Sequence, residues 1–77
     1  MQLGRATEAE AAFRRGLAVA PRHVSLGNAL AAALATRGAR DEAIAEFTRV
    51  LALEPGNAEA QAGLRLLQRP RGPGSRR

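Results

Sequence analysis

Two stretches of the sequence decide the fold, and they share one pattern. Residues 9–21 are AEAAFRRGLAVAP, and residues 43–55 are AIAEFTRVLALEP. Each begins with alanine, carries a phenylalanine four residues later and a leucine four residues after that, and ends in proline. One constant offset brings every one of these positions in the first stretch onto its match in the second, as it brings Phe13 onto Phe47. A spacing of four places these side chains along one face of a helix, so each stretch predicts an amphipathic helix that ends at its proline.

The same pattern predicts four helices, over Thr7–Ala20, Val24–Arg37, Asp41 up to Pro55, and Ala58–Gln68. Thr7 and Glu10 have the spacing of a capping box, so we expect Thr7 to begin the first helix. Asp41 places an acid at the positive end of the third helix. Gly38 is the expected stop of the second helix, and Asn57 the expected N-cap of the fourth.

The 34-residue period, the helix pair in each period and the repeated Ala-x3-Phe…Pro pattern resemble the tetratricopeptide repeat. The resemblance covers residues 1–68. It implies an all-α fold, an α-solenoid of antiparallel helix pairs with about two repeats. Residues 1–21 would be a partial repeat, mainly its helix B, residues 24–57 a complete repeat, and residues 58–68 helix A of a third.

Helix A matches the family less closely than helix B does. The expected aromatic residues are absent, although Ala31 keeps the small residue that close helix packing requires. Arg65 replaces that residue in the last helix, as expected of a terminal helix whose outer face meets water. The 35-residue pentatricopeptide repeat, which reads RNA bases, is disfavoured because the period here is 34 at every anchor.

The resemblance also implies a binding surface. In the family, helix A residues line the concave side of the solenoid and hold extended segments of partner proteins. The matching positions in this chain are Ser25, Asn28, Ala29, Ala32, Ala35, Thr36, Glu59, Ala62, Gly63 and Leu66. Asn28 is the best single candidate, since its amide both donates and accepts and can pair with a peptide backbone. We therefore expect a non-catalytic module that binds a partner protein or peptide.

Few residues could perform chemistry. Without cysteine the chain has no disulfide, thiolate zinc site or thiol nucleophile, and its single histidine, His23, excludes a metal cluster built from histidines. Ser25 and Thr36 have no nearby base, and the carboxylates gather at helix starts, where the helix dipole explains them. We expect no enzymatic activity and no cofactor, with His23 solvated in a loop.

The formal charge of +5 is a property of the C-terminal end. Residues 1–68 hold eight arginines and seven acids, whereas residues 69–77, RPRGPGSRR, hold four arginines and no acid. Two prolines and the lack of apolar residues predict that this tail is disordered. No aromatic residue nearby could stack on bases, so nucleic-acid binding is disfavoured, and weak association through the tail is kept as an alternative.

The longest apolar run, Ala29–Ala35, is shorter than the roughly 20 residues that span a bilayer. The charged N-terminal residues do not fit a signal peptide, so we expect a cytoplasmic protein with no membrane partner.

The core is expected to be thin, because alanine is the commonest residue and only Phe13 and Phe47 are aromatic. Stacked repeats usually need three or more units to bury a continuous core. We therefore expect a part of a longer array, or self-association through the uncovered N-terminal helix. A further alternative is a regulatory or scaffolding appendage of a larger enzyme.

Overall fold

The computed structural model describes residues 2–69, which form four α-helices and no strand. They are α1 (Gln2–Val19), α2 (Val24–Thr36), α3 (Arg40–Leu53) and α4 (Ala58–Gln68). The all-α prediction is confirmed for these residues, and the predicted bounds of the fourth helix agree with α4. Of the predicted disordered tail, only Arg69 lies inside the described residues.

The helices pack in the order of the chain. α2 lies against both α1 and α3, and α4 lies against α3 and touches α2. Two groups of buried residues form the core: Leu30, Leu34 and Ala43 in one, and Ala31, Phe47, Val50 and Ala60 in the other. Ala31, Ala43 and Ala60 are fully buried. Their small side chains allow the helices to approach closely, which gives part of the alanine excess a structural cause.

The sequence repeat is also a repeat of backbone hydrogen bonds. In the turn between α1 and α2, the His23 amide donates to the Ala20 carbonyl at 3.1 Å. In the turn between α3 and α4, the Asn57 amide donates to the Glu54 carbonyl at 3.0 Å. Both partners of the second bond lie one repeat period after those of the first. The two turns are therefore equivalent in structure as well as in sequence.

The two N-caps follow the same register. Asn57 Oδ1 accepts the Ala60 amide at 2.8 Å, which confirms the predicted cap of α4. His23, one period earlier, is exposed as expected but also has a structural role. Its Nδ1 accepts the Leu26 amide at 3.2 Å and caps α2. The neutral ring nitrogen is an acceptor, so it satisfies the same amide position that an asparagine oxygen would.

The end of α2 is confirmed, whereas the predicted start of α1 is wrong. Gly38 adopts a φ of 88°, and the Ala39 amide donates to the Leu34 carbonyl at 2.9 Å, as in a Schellman motif. α1 begins at Gln2 and runs through Thr7. No proline interrupts residues 2–6, and Ala6 is buried, so the helix continues upstream of the capping-box pattern.

Candidate partner-binding groove

A groove of about 420 Å³ runs between α1 and α2. Small side chains make up most of its lining, which consists of Arg5, Ala6, Ala9, Phe13, Ala29, Ala32, Ala33 and Thr36. Only Arg5 and Phe13 are larger than threonine, and only Arg5 is charged. The surface is therefore apolar and low in relief, and it leaves room for the backbone of another chain.

An ion pair beside the groove joins α1 to the C-terminal end of α2. Arg37, the C-cap of α2, donates from Nε to Glu10 Oε1 on α1 at 2.8 Å. Arg14 lies 3.1 Å from the other oxygen of the same carboxylate. The hydrogen bond from Arg37, helped by that from Arg14, holds the pKa of Glu10 below its ordinary value, although burial acts in the opposite direction. The bridge holds α1 against the end of α2 next to Thr36.

Three of the predicted site residues come together here. Ala29, Ala32 and Thr36 form the α2 wall of the groove. Ser25 is exposed in the first turn of α2, outside the lining. The opposite wall, formed by α1 residues from Arg5 to Phe13, is not among the positions that the resemblance assigns to the binding surface.

Asn28 does not present its amide to a partner, contrary to the sequence-based expectation. Its exposed fraction is 2% because it lies where α2 meets the start of α4. Nδ2 donates to Asn57 Oδ1 at 3.0 Å and lies 3.5 Å from Glu59 Oε1. Within the described residues, Asn28 Oδ1 is buried with no hydrogen-bond partner. The structure thus brings Asn28 and Glu59 together where α2 contacts α4, away from the groove.

The remaining predicted positions are dispersed. Gly63 packs against Phe47, since a Cβ at this position would come within 2.5 Å of ring atoms Cε2 and Cζ. Ala35 lies beside the core group of Leu30 and Leu34. Ala62 and Leu66 are exposed on α4, and neither lines the groove.

A second cavity, of about 310 Å³, is lined by Arg14 and Arg49 among others. Both guanidinium groups are already engaged. Arg49 donates from Nε to Glu46 at 3.0 Å and from Nη1 to the Pro21 carbonyl at 2.8 Å. The bond to Glu46 raises the pKa of Arg49. Because these cations have partners within the chain, the cavity is a poor match for an anionic ligand.

Comparisons with family models, curated protein sequences and solved structures found no match. The relationship to the tetratricopeptide repeat therefore stays a prediction. Across residues 2–69, no helix has the length and apolarity needed to cross a membrane, and no three acidic or histidine side chains gather as a metal site.

Proposed function

We propose that this chain is a non-catalytic protein-interaction module, built as a segment of a tetratricopeptide-type α-solenoid, that binds a protein or peptide in the α1–α2 groove. The observation that carries the proposal is the groove itself. Ala29, Ala32 and Thr36, which the resemblance assigns to the binding face, line it together with Ala9 and Phe13 of α1. We propose the cytoplasm as the place where it acts.

The recurrence of turns and caps at the repeat period supports the solenoid. The turn from α1 to α2 and the turn from α3 to α4 have the same hydrogen bond and the same type of cap. Equivalent turns give each helix pair nearly the same rotation relative to the one before it, and such a regular rotation produces a solenoid. The fully buried Ala31 and Ala60, on α2 and α4, supply the small contacts that such stacking needs.

The chemistry of the groove favours a protein over a small molecule. Small-molecule sites are enclosed and combine apolar walls with several convergent polar groups. This groove is open and offers two polar side chains, Arg5 and Thr36. Alkyl surface of this kind is suited to side chains and backbone of another polypeptide.

The test compares two substitutions of exposed helical alanines. Ala32→Arg fills the groove, whereas Ala45→Arg places the same side chain on α3, away from the groove lining. Partners recovered with the wild-type chain are purified and titrated by calorimetry against both variants, with circular dichroism to verify folding. We expect Ala32→Arg to weaken binding about tenfold or more and Ala45→Arg to preserve it. Equal binding by both folded variants would refute the proposal.

A further inference from the structure

We infer that the partner binds in the α1–α2 groove as an amphipathic α-helix, which carries two leucines four residues apart and sits on α1 as α2 sits on α3. The inference rests on the proposed function and specifies the partner.

The chain itself contains an occupied counterpart of this groove. A shift by one repeat period moves Ala9 and Phe13 of α1 onto Ala43 and Phe47 of α3. Ala43 is fully buried and Phe47 is 5% exposed. Ala43 lies in one core group with Leu30 and Leu34 of α2. Ala9 and Phe13, by contrast, are half-buried and line the open groove.

The second wall of the groove corresponds at Ala33, whereas Ala32, at the rim, matches the exposed Leu66. The shift moves Ala33 of α2 onto Leu67 of α4, which packs against the core group that contains Leu30 and Leu34. In the occupied counterpart, the α2 leucines thus pack with Ala43 of α3 and Leu67 of α4, and the same group includes Phe13 and Leu17 of α1. The open groove lies between the equivalent positions of α1 and α2. One repeat later, the space between α3 and α4 is filled by a helix, α2.

A leucine pair is the part of α2 that packs with Ala43, while Ala31 of α2 shares a core group with Phe47. Leu30 and Leu34 are each 2% exposed, and they form one stripe because four residues make about one helical turn. Across the open groove, Ala29, Ala32 and Ala33 leave room for such side chains.

A second copy of the chain has no suitable helix to offer from the described residues. Leu30 and Leu34 are in the core, and Leu64 and Leu67 pack against it. The large apolar side chains that are exposed, Val19 and Leu66, lie on different helices and form no pair. The described residues of a second copy therefore offer no such helix, which favours a helix of a partner protein as the occupant.

The probe is a synthetic peptide with the sequence of residues 21–39 of this chain, which carries the leucine pair between its own cap and stop. It is labelled with a fluorophore and titrated against the wild-type chain, with Ala32→Arg and the matched Ala45→Arg variant as protein controls. Two control peptides carry either Leu30→Asp with Leu34→Asp or Ala32→Pro. The first loses the apolar stripe, and the second keeps the leucines but breaks the helix.

We expect saturable binding with a gain of helix signal in circular dichroism. Ala32→Arg in the protein should weaken it about tenfold, Ala45→Arg should leave it unchanged, and both control peptides should lose it. Equal binding of the proline peptide would mean an extended occupant and would overturn the helix inference while leaving the proposed function intact. Equal binding to the Ala32→Arg protein would place the peptide elsewhere, for example in exchange with α2 on α3, and would overturn the inference as well.

Absence of saturable binding would also overturn the inference, and the proposed function would then depend on its own partner titration. Analytical ultracentrifugation of the chain without peptide measures its oligomeric state. A dimer that Ala32→Arg dissociates and Ala45→Arg preserves would identify a second copy as the occupant, contrary to the inference.

Discussion

Asn28 of α2 donates a hydrogen bond from Nδ2 to Oδ1 of Asn57, the N-cap of α4, at 3.0 Å. The same oxygen accepts the Ala60 amide at 2.8 Å. One side-chain atom thus caps α4 and links it to α2. This pair is a direct hydrogen-bonded link between the last helix and the groove-forming α2.

Asn57→Ala should lower the free energy of unfolding by about 1–2 kcal/mol, because α4 loses its cap. The loss of Asn28 as well should cost less than the sum of the two single substitutions, by about 0.5–1.5 kcal/mol, since they remove one shared hydrogen bond. Urea unfolding of the wild type, both single variants and the double variant measures this coupling. His23→Ala, which removes the equivalent cap of α2, is the control and should combine additively with Asn57→Ala. A strictly additive Asn28 and Asn57 pair would contradict the bridge.

Gly63 allows α4 to approach α3 closely. A Cβ at this position would come within 2.5 Å of the Phe47 ring, whereas one at Gly56 would meet nothing within 4 Å. We expect Gly63→Ala to destabilise the chain by about 1–3 kcal/mol through overpacking, despite the better helix propensity of alanine. Gly56→Ala should lie within about 0.5 kcal/mol of the wild type. Thermal unfolding of both variants decides the point, and a neutral Gly63→Ala would show that α4 does not need the close approach.

The helices and their local ends were predictable because their signals lie within a few residues. The leucine and phenylalanine stripes located the helices, and Gly38 and Asn57 located two of their ends. The start predicted at Thr7 was wrong because a capping pattern is also a local signal. Such a pattern cannot show that a helix already began upstream. Its true start depends on residues 2–6, where burial of Ala6 outweighs the local signal.

Only part of the candidate site, on its α2 wall, was predictable. The resemblance assigns Ala29, Ala32 and Thr36 to the binding face, and these three residues line one groove. Asn28 was misplaced, since its burial depends on where α4 crosses α2, and no periodicity within α2 contains that information. The missed wall, which begins at Arg5 and includes Phe13, had a usable signal. Ala9 and Phe13 match the buried Ala43 and Phe47 of α3, yet no helix precedes α1 among the described residues to cover them.

A pair of facing residues, one small and one large, occurs in both repeats with the two sizes reversed, and this gives a further test. A Cβ on Gly16 would lie 2.8 Å from Leu26 Cδ1, so a residue with no side chain faces a large one. One period later the sizes are reversed, with Val50 and Ala60 in one buried group. Gly16→Val should therefore cost about 1–3 kcal/mol, and the addition of Leu26→Ala should recover part of that loss. Chemical denaturation of the two single variants and the double variant measures the recovery, and a double variant as unstable as the sum of the singles would refute the complementarity.

The ion pair that joins α1 to the C-terminal end of α2 should make stability depend on pH. Arg37 and Arg14 depress the pKa of Glu10 from its ordinary value of 4.5, so the folded state favours the charged carboxylate. The stabilisation is therefore complete above that value and is lost as the pH falls through the lower pKa of the folded state. Glu10→Gln should unfold at a lower temperature than the wild type at neutral pH, and the two midpoints should converge as the pH falls well below 4.5.

Glu42→Gln is the matched control for this titration, because Glu42 also contacts Arg37, at 3.2 Å, but its side chain is 60% exposed against 14% for Glu10. Solvent screens the more exposed pair, so this variant should follow the wild-type curve closely. Parallel midpoints for Glu10→Gln and the wild type across the acid range would mean that Glu10 has the same pKa in the folded and unfolded chain. The walls of the groove would then be held by packing of α1 on α2 rather than by the Glu10–Arg37 pair.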